Sequence, residues 1–436
     1  MTDGSRPLTR RRFIGAGAGL VGAASLGLLD ACTGSGDTLN FMHPAEPTGV
    51  VQQQIDRWND RQPKYPVVWL QAPTSVEQYF EQLRSQFQAG GGPLDVISGD
   101  VTWTAELGAN GWVTDLTSEV QGAYPRGTFL GAWGASASWD GKVWAVPWIA
   151  DLGLLWYRAD LLRRAGIAGS PATEDQLLAI AADVVKQAGI PYGLVYPGAP
   201  GEDQVCTTLE YIWSAGGDVL DPGNPTRVVI GDAAAINGLA AQRGTITSGV
   251  TPAEVAGWRQ EDAIASFLSG DAVFLRGPSS VRRRVGWQGS GAHRVTSRAQ
   301  VGAAAPPVAA AGSRPASCAA GWLLFVNATS RKKEQAWPFV AYLADTAQSQ
   351  ERARAGYPSP RAALYRDHRV RQSATVLGLA EPAVADARPR PDSPVYADLS
   401  LRMQALFGQS LRGTVTPPAA AAQLEADLQQ IVDEGG

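Results

Sequence analysis

Apolar positions recur with two different spacings along most of the chain. Short apolar runs with the length of a buried strand alternate with longer segments in which apolar residues return every three or four positions, as on one face of a helix. Residues 76–89 form such a helical segment, and the three glycines at 90–92 end it. Alternating strands and helices predict an α/β protein with a mostly parallel sheet covered on both faces.

The segment 139–167 marks the predicted passage of the chain from one lobe to another. Strand-like runs at 143–146 and 154–157 lie on either side of residues 147–153, and a Leu-rich helix follows. Because 436 residues exceed the size of a single ordinary core, two lobes are expected. Asp100 follows a buried strand in the first half, and ligands of open α/β sheets bind at such strand ends. A ligand cleft beside the crossing is therefore predicted.

The same alternation continues to the C-terminus. Strands are predicted at 192–195, 272–275, 301–304 and 322–326, with a turn at 276–278. Helices are predicted at 204–215, 232–247, 260–269, 332–343, 369–379, 394–407 and 419–432. The Ala/Pro/Gly-rich stretch 306–316 is interpreted as the second crossing. The predicted first lobe comprises residues 39–150 and 317–365, and the second comprises 151–316 and 366–436.

The N-terminal residues have the sequence of an export signal. Paired arginines within 10–12 precede an apolar stretch, 15–29, that is shorter than the roughly 20 residues of a membrane-spanning helix. Cys32 follows a short segment that resembles a bacterial lipobox. We interpret 1–31 as a twin-arginine lipoprotein signal peptide, Cys32 as the lipidated residue and 32–38 as a lipidated tether. Export by the twin-arginine route to the extracytoplasmic face of the cell membrane is expected.

Composition and charge narrow the function classes. The chain has 37 basic and 41 acidic side chains, which gives no reason to expect a nucleic-acid partner. Three His and three Cys are too few and too scattered for a zinc site, so no metal or other cofactor is predicted. Fourteen Trp are conspicuous, because an indole ring can stack on the apolar face of a sugar. No Gly-x-Ser-x-Gly elbow is present, and an enzyme is not predicted.

Several motifs, in their order and spacing, resemble the extracellular sugar-binding (family 1) solute-binding proteins of ABC importers. The motifs are LDVI at 94–97, GWVTDL at 111–116, SGDAVF at 269–274, Gly277-Pro278 and Gly321-Trp322. Residues 100–107 and 388–399 are similar to actinobacterial trehalose-binding lipoproteins. The resemblance implies a two-lobe periplasmic-binding-protein-like fold of type II, with hinge crossings and a C-terminal helical segment. It also implies a monomer that closes on a disaccharide or short oligosaccharide, such as trehalose or a related α-glucoside, and delivers it to a permease.

The resemblance places the ligand residues in both halves of the sequence. Carboxylates can accept hydrogen bonds from neighbouring sugar hydroxyls, and aromatic rings can stack on the sugar. The predicted ligand-binding residues are Glu46, Asp100, Trp103, Trp148, Asp151, Glu261, Arg276, Gly321, Trp322, Arg390 and Tyr396. Structural roles compete with most of these assignments: Asp100 could cap the helix near Thr104, Glu261 could be an ordinary first-turn residue, and the aromatic residues could belong to the core.

Alternative functions also follow from particular residues. Arg276, Arg282–Arg284, Arg294 and Arg298 form a basic cluster that could face a phosphorylated ligand, which would indicate a glycerol-3-phosphate or glycerophosphodiester receptor of the same fold. A solvated surface is the competing explanation of the cluster. Asp100 and Asp151 could imitate the carboxylate pair of a secreted carbohydrate hydrolase. A purely structural lipoprotein would leave the polar strand ends unexplained.

Two cysteines of the mature chain raise the question of a disulfide. Cys206 lies in a predicted helix and Cys318 near the second crossing, and both would lie outside the cytoplasm. A bond between them would close a long loop and stabilise the fold by about 4–5 kcal/mol in the chain-entropy model. The sequence leaves open whether the two residues meet.

Overall fold

A computed structural model describes residues 38–285 and 293–435. The predicted signal peptide, Cys32 and the tether as far as residue 37 lie outside the described residues. The strands are β1 (Leu39–Pro44), β2 (Val67–Ala72), β3 (Val96–Asp100), β4 (Ser138–Trp139), β5 (Lys142–Val143), β6 (Val146–Arg158), β7 (Tyr192–Val195), β8 (Leu220–Asp221), β9 (Asn224–Val228), β10 (Ala272–Pro278), β11 (Val301–Ala304), β12 (Ser317–Val326) and β13 (Ala387–Arg388).

The helices precede or follow these strands in the alternation that the sequence predicts. They are α1 (Val50–Arg61), α2 (Val76–Gln88), α3 (Thr104–Ala109), α4 (Thr117–Ala123), α5 (Gly131–Ser136), α6 (Ala159–Arg164), α7 (Glu174–Ala188), α8 (Glu202–Ser214), α9 (Ala233–Thr247), α10 (Gln260–Ser269), α11 (Val281–Arg284), α12 (Lys333–Ala344), α13 (Thr346–Arg354), α14 (Ala362–Arg366), α15 (His368–Ser373), α16 (Thr375–Val384), α17 (Tyr396–Arg412) and α18 (Pro417–Gly435).

The largest sheet has nine strands in the order β2-β1-β3-β12-β6-β10-β7, with β11 paired to β6 and β13 paired to β12. Strands β1, β2 and β3 are parallel, as are β7 and β10. Strands β6 and β12 run antiparallel to each other, and β3 and β10 run antiparallel to β12 and β6 respectively. The alternation of elements predicted a mostly parallel sheet. This prediction is wrong at the centre of the sheet, where β6 and β12 run antiparallel to each other and to their outer neighbours.

Strand β6 is one continuous crossing and not two strands separated by a linker. Its first half pairs with β12 as far as Leu152, and its second half pairs with β10 from Gly153 onwards. Gly153 looks like a strand breaker in the sequence, but a Cβ at this position would lie 1.7 Å from Glu210 Oε1. The absence of a Cβ at Gly153 therefore leaves room for the Glu210 side chain of α8 to pack against β6. The change of pairing partner supports the lobe boundary that we propose at 150/151.

The second crossing is β12 and not the stretch 306–316 that the sequence suggested. Its residues Ala319–Leu324 pair with β6, and Trp322–Val326 pair with β3. The predicted strand 322–326 is correct but begins at Ser317 in the structure. Both crossings therefore lie side by side at the centre of the sheet.

The C-terminal helices complete the second half of the molecule. Helices α17 and α18 pack against α8 and α9 through a buried apolar cluster. Its members from the C-terminal helices are Leu399, Met403, Leu406, Phe407, Leu424 and Leu428. This packing fixes α8 from behind, so its opposite face is free to face the crossing strands. It supports placing residues 396–435 with α8 and α9, and the assignment of 366–436 to the second lobe stays a prediction.

Gly321 lies where the backbones of the two crossing strands approach each other closely. Its φ of 120° is in the region that favours glycine, and a Cβ there would lie 2.2 Å from the carbonyl oxygen of Ile149. We expect Gly321→Ala to lower the free energy of unfolding by about 2 kcal/mol or more, because β6 and β12 would have to separate. Urea unfolding measures the change. As a control, Gly378→Ala in the exposed face of α16, with open space around it, should instead raise stability by about 0.5–1 kcal/mol. Equal effects of the two substitutions would contradict this account of the crossing.

Candidate ligand-binding cleft

A cavity of about 200 Å³ opens where β3, β6 and β12 face α8. Its lining combines residues from both halves of the sequence. The polar and aromatic lining residues are Asp100, Asp151, Asp203, Cys206, Thr207, Glu210, Gln260, Arg283, Cys318, Trp322 and Tyr357. Gly321 also lines the cavity. The structure thus brings four predicted ligand residues together, namely Asp100, Asp151, Gly321 and Trp322, and adds several that the sequence reasoning missed.

Asp100 is the last residue of β3 and is 7% exposed. Its Oδ1 atom accepts hydrogen bonds from the Thr102 amide at 3.0 Å, the Thr102 hydroxyl at 2.8 Å and Arg390 Nη2 at 2.7 Å. Its Oδ2 atom has no hydrogen-bond partner within residues 38–285 and 293–435. Asp100 therefore does both things that the sequence left open, because it organises the turn after β3 and also presents one oxygen to the cavity.

Asp151 has the same division between its two oxygens. Oδ1 accepts hydrogen bonds from the Leu152 and Ser279 amides, both at 2.8 Å, and from the Ser279 hydroxyl. Oδ2 has no hydrogen-bond partner in the described part of the chain. Burial raises the pKa of the Asp151 carboxyl, whereas the Ser279 hydrogen bonds and the nearby Arg283 act to lower it. Ser279, which directly follows β10, thus fixes the Asp151 carboxylate at the edge of the cavity.

Trp322 supplies an aromatic wall next to these carboxylates. It pairs with Asp100 in the sheet and is only partly buried, since one side of the residue lines the cavity. Behind it, the ring of His43 contacts the indole edge to face, with centroids 5.4 Å apart. His43 is 4% exposed, and its Nδ1 is 2.7 Å from the Ser98 hydroxyl. A rigid support behind the indole favours stacking of a ligand on its other side.

Helix α8 contributes the functional residues that the sequence reasoning missed. Asp203, Thr207 and Glu210 lie on one helix face at spacings of four and three, and Cys206 lies beside them. Burial and the neighbouring carboxylates of Glu202 and Glu77 raise the pKa of Asp203 to about 7. Burial likewise raises the pKa of Glu210 to about 7, even though Arg276 is close to it. The spacing was visible in the sequence, but an acidic helix face is usually solvated.

Arg390 and Tyr396 lie behind the cavity and not in its lining. Arg390 donates hydrogen bonds to both Asp100 and Glu202, and its guanidinium lies 5.9 Å from the centroid of the Tyr396 ring. The Tyr396 hydroxyl donates to Glu202 Oε2 at 2.9 Å. These residues therefore connect α8 to β3 and orient Asp100. They act as positioning groups for Asp100 in this cavity, and the direct ligand contact that the resemblance implied for them stays a prediction, since Tyr396 lines a neighbouring cavity.

Arg276 does not reach the cleft, contrary to the sequence prediction. Residues 276–278 belong to β10 and do not form a turn, and the Arg276 side chain is held among residues of α7 and α8 outside the cavity lining. It is fully buried, is paired with Glu174 and Glu210, and lies 3.9 Å from the centroid of the Tyr211 ring. Successive residues of a strand face opposite sides of the sheet. Because Gly277 lines the cavity, the neighbouring Arg276 does not.

Three further residues that were predicted to bind ligand do not line this cavity. Glu261 is exposed and pairs with Arg284, whereas the preceding residue, Gln260, lines the cavity. Trp148 is 1% exposed and packs in the core. Trp103 is 5% exposed and packs against Phe80, with ring centroids 4.8 Å apart. Trp148 therefore has a core position, whereas Trp103 lines a neighbouring cavity of about 260 Å³ together with Tyr396.

Glu46 contributes indirectly. Its carboxylate accepts hydrogen bonds from the Thr48 amide at 2.7 Å and from the hydroxyl of Tyr357, and Tyr357 lines the cavity. Burial acts to raise the pKa of Glu46, but these hydrogen bonds outweigh it and the pKa is lowered. Across the cleft, Arg283 lies 3.9 Å from the centroid of the Tyr357 ring. Glu46 thus positions an aromatic residue at a contact between the two halves.

Cys206 and Cys318 meet in the wall of the cavity, and both thiols are free in the structure. The disulfide that the sequence left open is absent, although the side chains are neighbours. A hydrogen bond with Cys318, together with burial, raises the pKa of the Cys206 thiol. A disulfide between Cys206 and Cys318, formed by oxidation, stays a prediction.

Residues 38–285 and 293–435 contain neither a metal-binding cluster nor a helix suited to span a membrane. No three His, Cys, Asp or Glu side chains in this part of the chain converge in a way that could hold a metal ion. No helix in the same residues combines the length and apolar character needed to cross a membrane.

The fold and the cleft together define a two-lobe binding protein of the periplasmic type. Residues 44–350 match the family model described as bacterial extracellular solute-binding protein, and the chain belongs to this family. A maltose-bound T. maritima MalE3 is 30% identical, with a TM-score of 0.80 and coverage of 90% of this chain and 99% of that chain. The predicted fold class and family resemblance are confirmed, and the protein is a solute-binding protein and not an enzyme.

Two more relatives extend the comparison. A probable ABC transporter-binding protein of Deinococcus radiodurans is 28% identical over 377 residues, which cover 84% of this chain and 86% of the relative. The GacH receptor of Streptomyces glaucescens GLA.O, solved unliganded and with acarbose and an acarbose homolog, is 22% identical. Its TM-score is 0.77, with coverage of 92% of this chain and 99% of that chain, and it shares the fold. The extracellular character of the family agrees with the predicted extracytoplasmic location.

Proposed function

We propose that this protein captures a disaccharide or short oligosaccharide, trehalose or a related α-glucoside, and presents it to the permease of an ABC importer. The observation that carries the proposal is the cavity between the lobes, in which Trp322 stands next to two carboxylates with unpaired oxygens, Asp100 and Asp151. Sugars require this combination of an aromatic plate and hydrogen-bond acceptors. The 30% identity to a maltose-bound protein supports the same ligand class.

The proposed mechanism is capture by closure of the two lobes. Residues from both halves of the chain line the cavity, and strands β6 and β12 connect the two lobes. A ligand that contacts Asp203 on α8 and Trp322 on β12 at once binds the closed arrangement better than an open one, which shifts the equilibrium towards closure. We propose that the protein acts as a monomer, anchored through a lipid on Cys32 after export by the twin-arginine route.

The phosphate-binding alternative finds less support in the cleft. Of the arginine cluster, Arg283 lines the cavity, whereas Arg276 is buried behind Glu210 and Arg284 pairs with Glu261. Four carboxyl groups line the same cavity, and they would repel a phosphate. A neutral or cationic ligand fits this lining better.

The proposal is tested by thermal unfolding and calorimetry with trehalose, maltose, longer α-glucosides and glycerol phosphodiesters. A sugar at a hundred times its dissociation constant should add about 2.7 kcal/mol to the stability of the folded protein. Trp322→Ala should weaken binding of that sugar about 30-fold, since removal of a central aromatic contact costs about 2 kcal/mol or more.

Two variants serve as controls. Trp322→Phe keeps a flat apolar surface and should lose less affinity than the alanine variant. Trp337→Ala removes a partly buried indole of α12 that does not line the cavity, and should leave affinity unchanged. Stabilisation by phosphodiesters alone, or equal losses from Trp322→Ala and Trp337→Ala, would contradict the proposal.

A further inference from the structure

The arginines around the cleft are too few to balance its carboxylates. Arg390 is shared between Asp100 and Glu202, and Arg276 is shared between Glu174 and Glu210. Each of these buried groups of three therefore keeps one negative charge when all its members are ionised. Arg283, the one positively charged side chain among the described lining residues, faces Asp151 and the Tyr357 ring.

Asp203 is the carboxylate without a compensating partner. It lines the cavity from the first turn of α8, and neither of its side-chain oxygens has a hydrogen-bond partner in the described residues. More than a third of its surface is accessible, but protein atoms surround it closely enough to disfavour its charge. Glu202, Glu77 and Asp151 are its acidic neighbours, and Arg390 is the cation that partly offsets them.

Several carboxylate oxygens are therefore directed at the same space without a donor. Asp100 and Asp151 each use only Oδ1 within the protein, and Glu210 accepts one short hydrogen bond, from the Cys318 amide at 3.0 Å. Glu210 differs from these two, because its second oxygen forms an ion pair with Arg276 Nη1 at 3.5 Å. Neutral hydroxyls would supply hydrogen bonds but would leave the excess negative charge in place.

We propose that the cleft selects a carbohydrate that carries a protonated amine, placed against Asp203. The amine supplies both the missing donor and the missing positive charge, and charge-assisted hydrogen bonds are about twice as strong as neutral ones. This inference rests on the proposed function, because it specifies the substrate class of the same cavity.

Calorimetry with matched sugars tests the inference. The full chain is titrated with trehalose, with maltose and with analogues of each in which a single hydroxyl, at different ring positions, is replaced by an amine. At least one amine analogue should bind about tenfold tighter than its parent sugar, as expected for one additional charge-assisted hydrogen bond. Asp203→Asn should remove this preference, so that the amine analogue and its parent sugar bind the variant with equal affinity.

A control substitution separates a local contact from a general effect of charge. Asp183→Asn alters the net charge equally but at an exposed position of α7 outside the cavity, so the preference for the amine should persist. If no amine analogue binds tighter than its parent, the inference is overturned while the proposed sugar receptor stands. The same follows if both variants lose the preference equally. If neither the sugars nor their amine analogues bind, the proposed function and the inference both fail.

Discussion

Arg276→Met is expected to lower the free energy of unfolding by about 3–5 kcal/mol, because removing one partner of a buried ion pair leaves the others uncompensated. Glu174 and Glu210 would remain buried without the guanidinium between them. The loss should increase as the pH rises, since the two carboxyls can be neutralised by protons at low pH but must ionise at high pH. Urea unfolding at two pH values measures both effects.

Arg284→Met is the matched control for this prediction. Arg284 also pairs with a glutamate, Glu261, but both side chains are exposed. Exposed ion pairs contribute at most about 1 kcal/mol, so this variant should be nearly as stable as the wild type. If Arg276→Met were as mild as Arg284→Met, the buried charge network behind the cleft would not exist as described.

His43→Gln is expected to change the pH dependence of stability by about 3 kcal/mol between pH 6.5 and pH 4. Burial, assisted by the nearby Arg352, lowers the pKa of His43 from 6.5 to about 3. Between these pH values His43 is protonated in the unfolded chain but neutral in the folded protein. His43 therefore lowers the free energy of unfolding of the wild type by about 1.36 kcal/mol for each unit by which the pH falls. Glutamine retains a polar group beside Ser98 but cannot titrate.

The comparison must be made as a difference between the two proteins. Asp203 and Glu210 have raised pKa values, so their folded forms bind protons first and their contribution to stability increases as the pH falls. The same carboxyls are present in the wild type and in His43→Gln, and their effect cancels. A stability difference that is equal at pH 7 and pH 4 would show that His43 is not held neutral behind Trp322.

Local patterns predicted many elements well. The predicted bounds of β7, β11 and α10 agree with the structure. These segments have strong periodicity and clear end signals. Their boundaries depend on nearby residues alone, which is why the sequence was sufficient.

The crossing strands depend on distant partners, and there the sequence was misleading. Pro147 and Gly153 look like breaks, but β6 continues through both because Pro147 pairs beside an irregularity in β12 and Gly153 accommodates Glu210. The position of Arg276 was predicted wrongly for the same reason. Residues 276–278 were predicted as a turn, whereas they form the end of β10.

The candidate site was predicted in part for the same reason. Asp100, Asp151 and Trp322 lie at strand ends and crossings, where the fold itself creates a cleft, and all three line the cavity as their predicted positions imply. Asp203 and Glu210 lie on a helix face, and nothing in the sequence shows which face of α8 the C-terminal helices cover. Tyr357 and Arg283 meet only when the two halves of the chain come together.

The most direct test of the account is a crystal structure of the protein with the disaccharide or amine analogue that binds most tightly in calorimetry. We expect the intact ligand in the cavity between the lobes, with a ring stacked on Trp322 and hydrogen bonds to Asp100, Asp151 and Asp203. A ligand bound outside this cavity, or one inside it that touches neither Trp322 nor these carboxylates, would contradict the central claim.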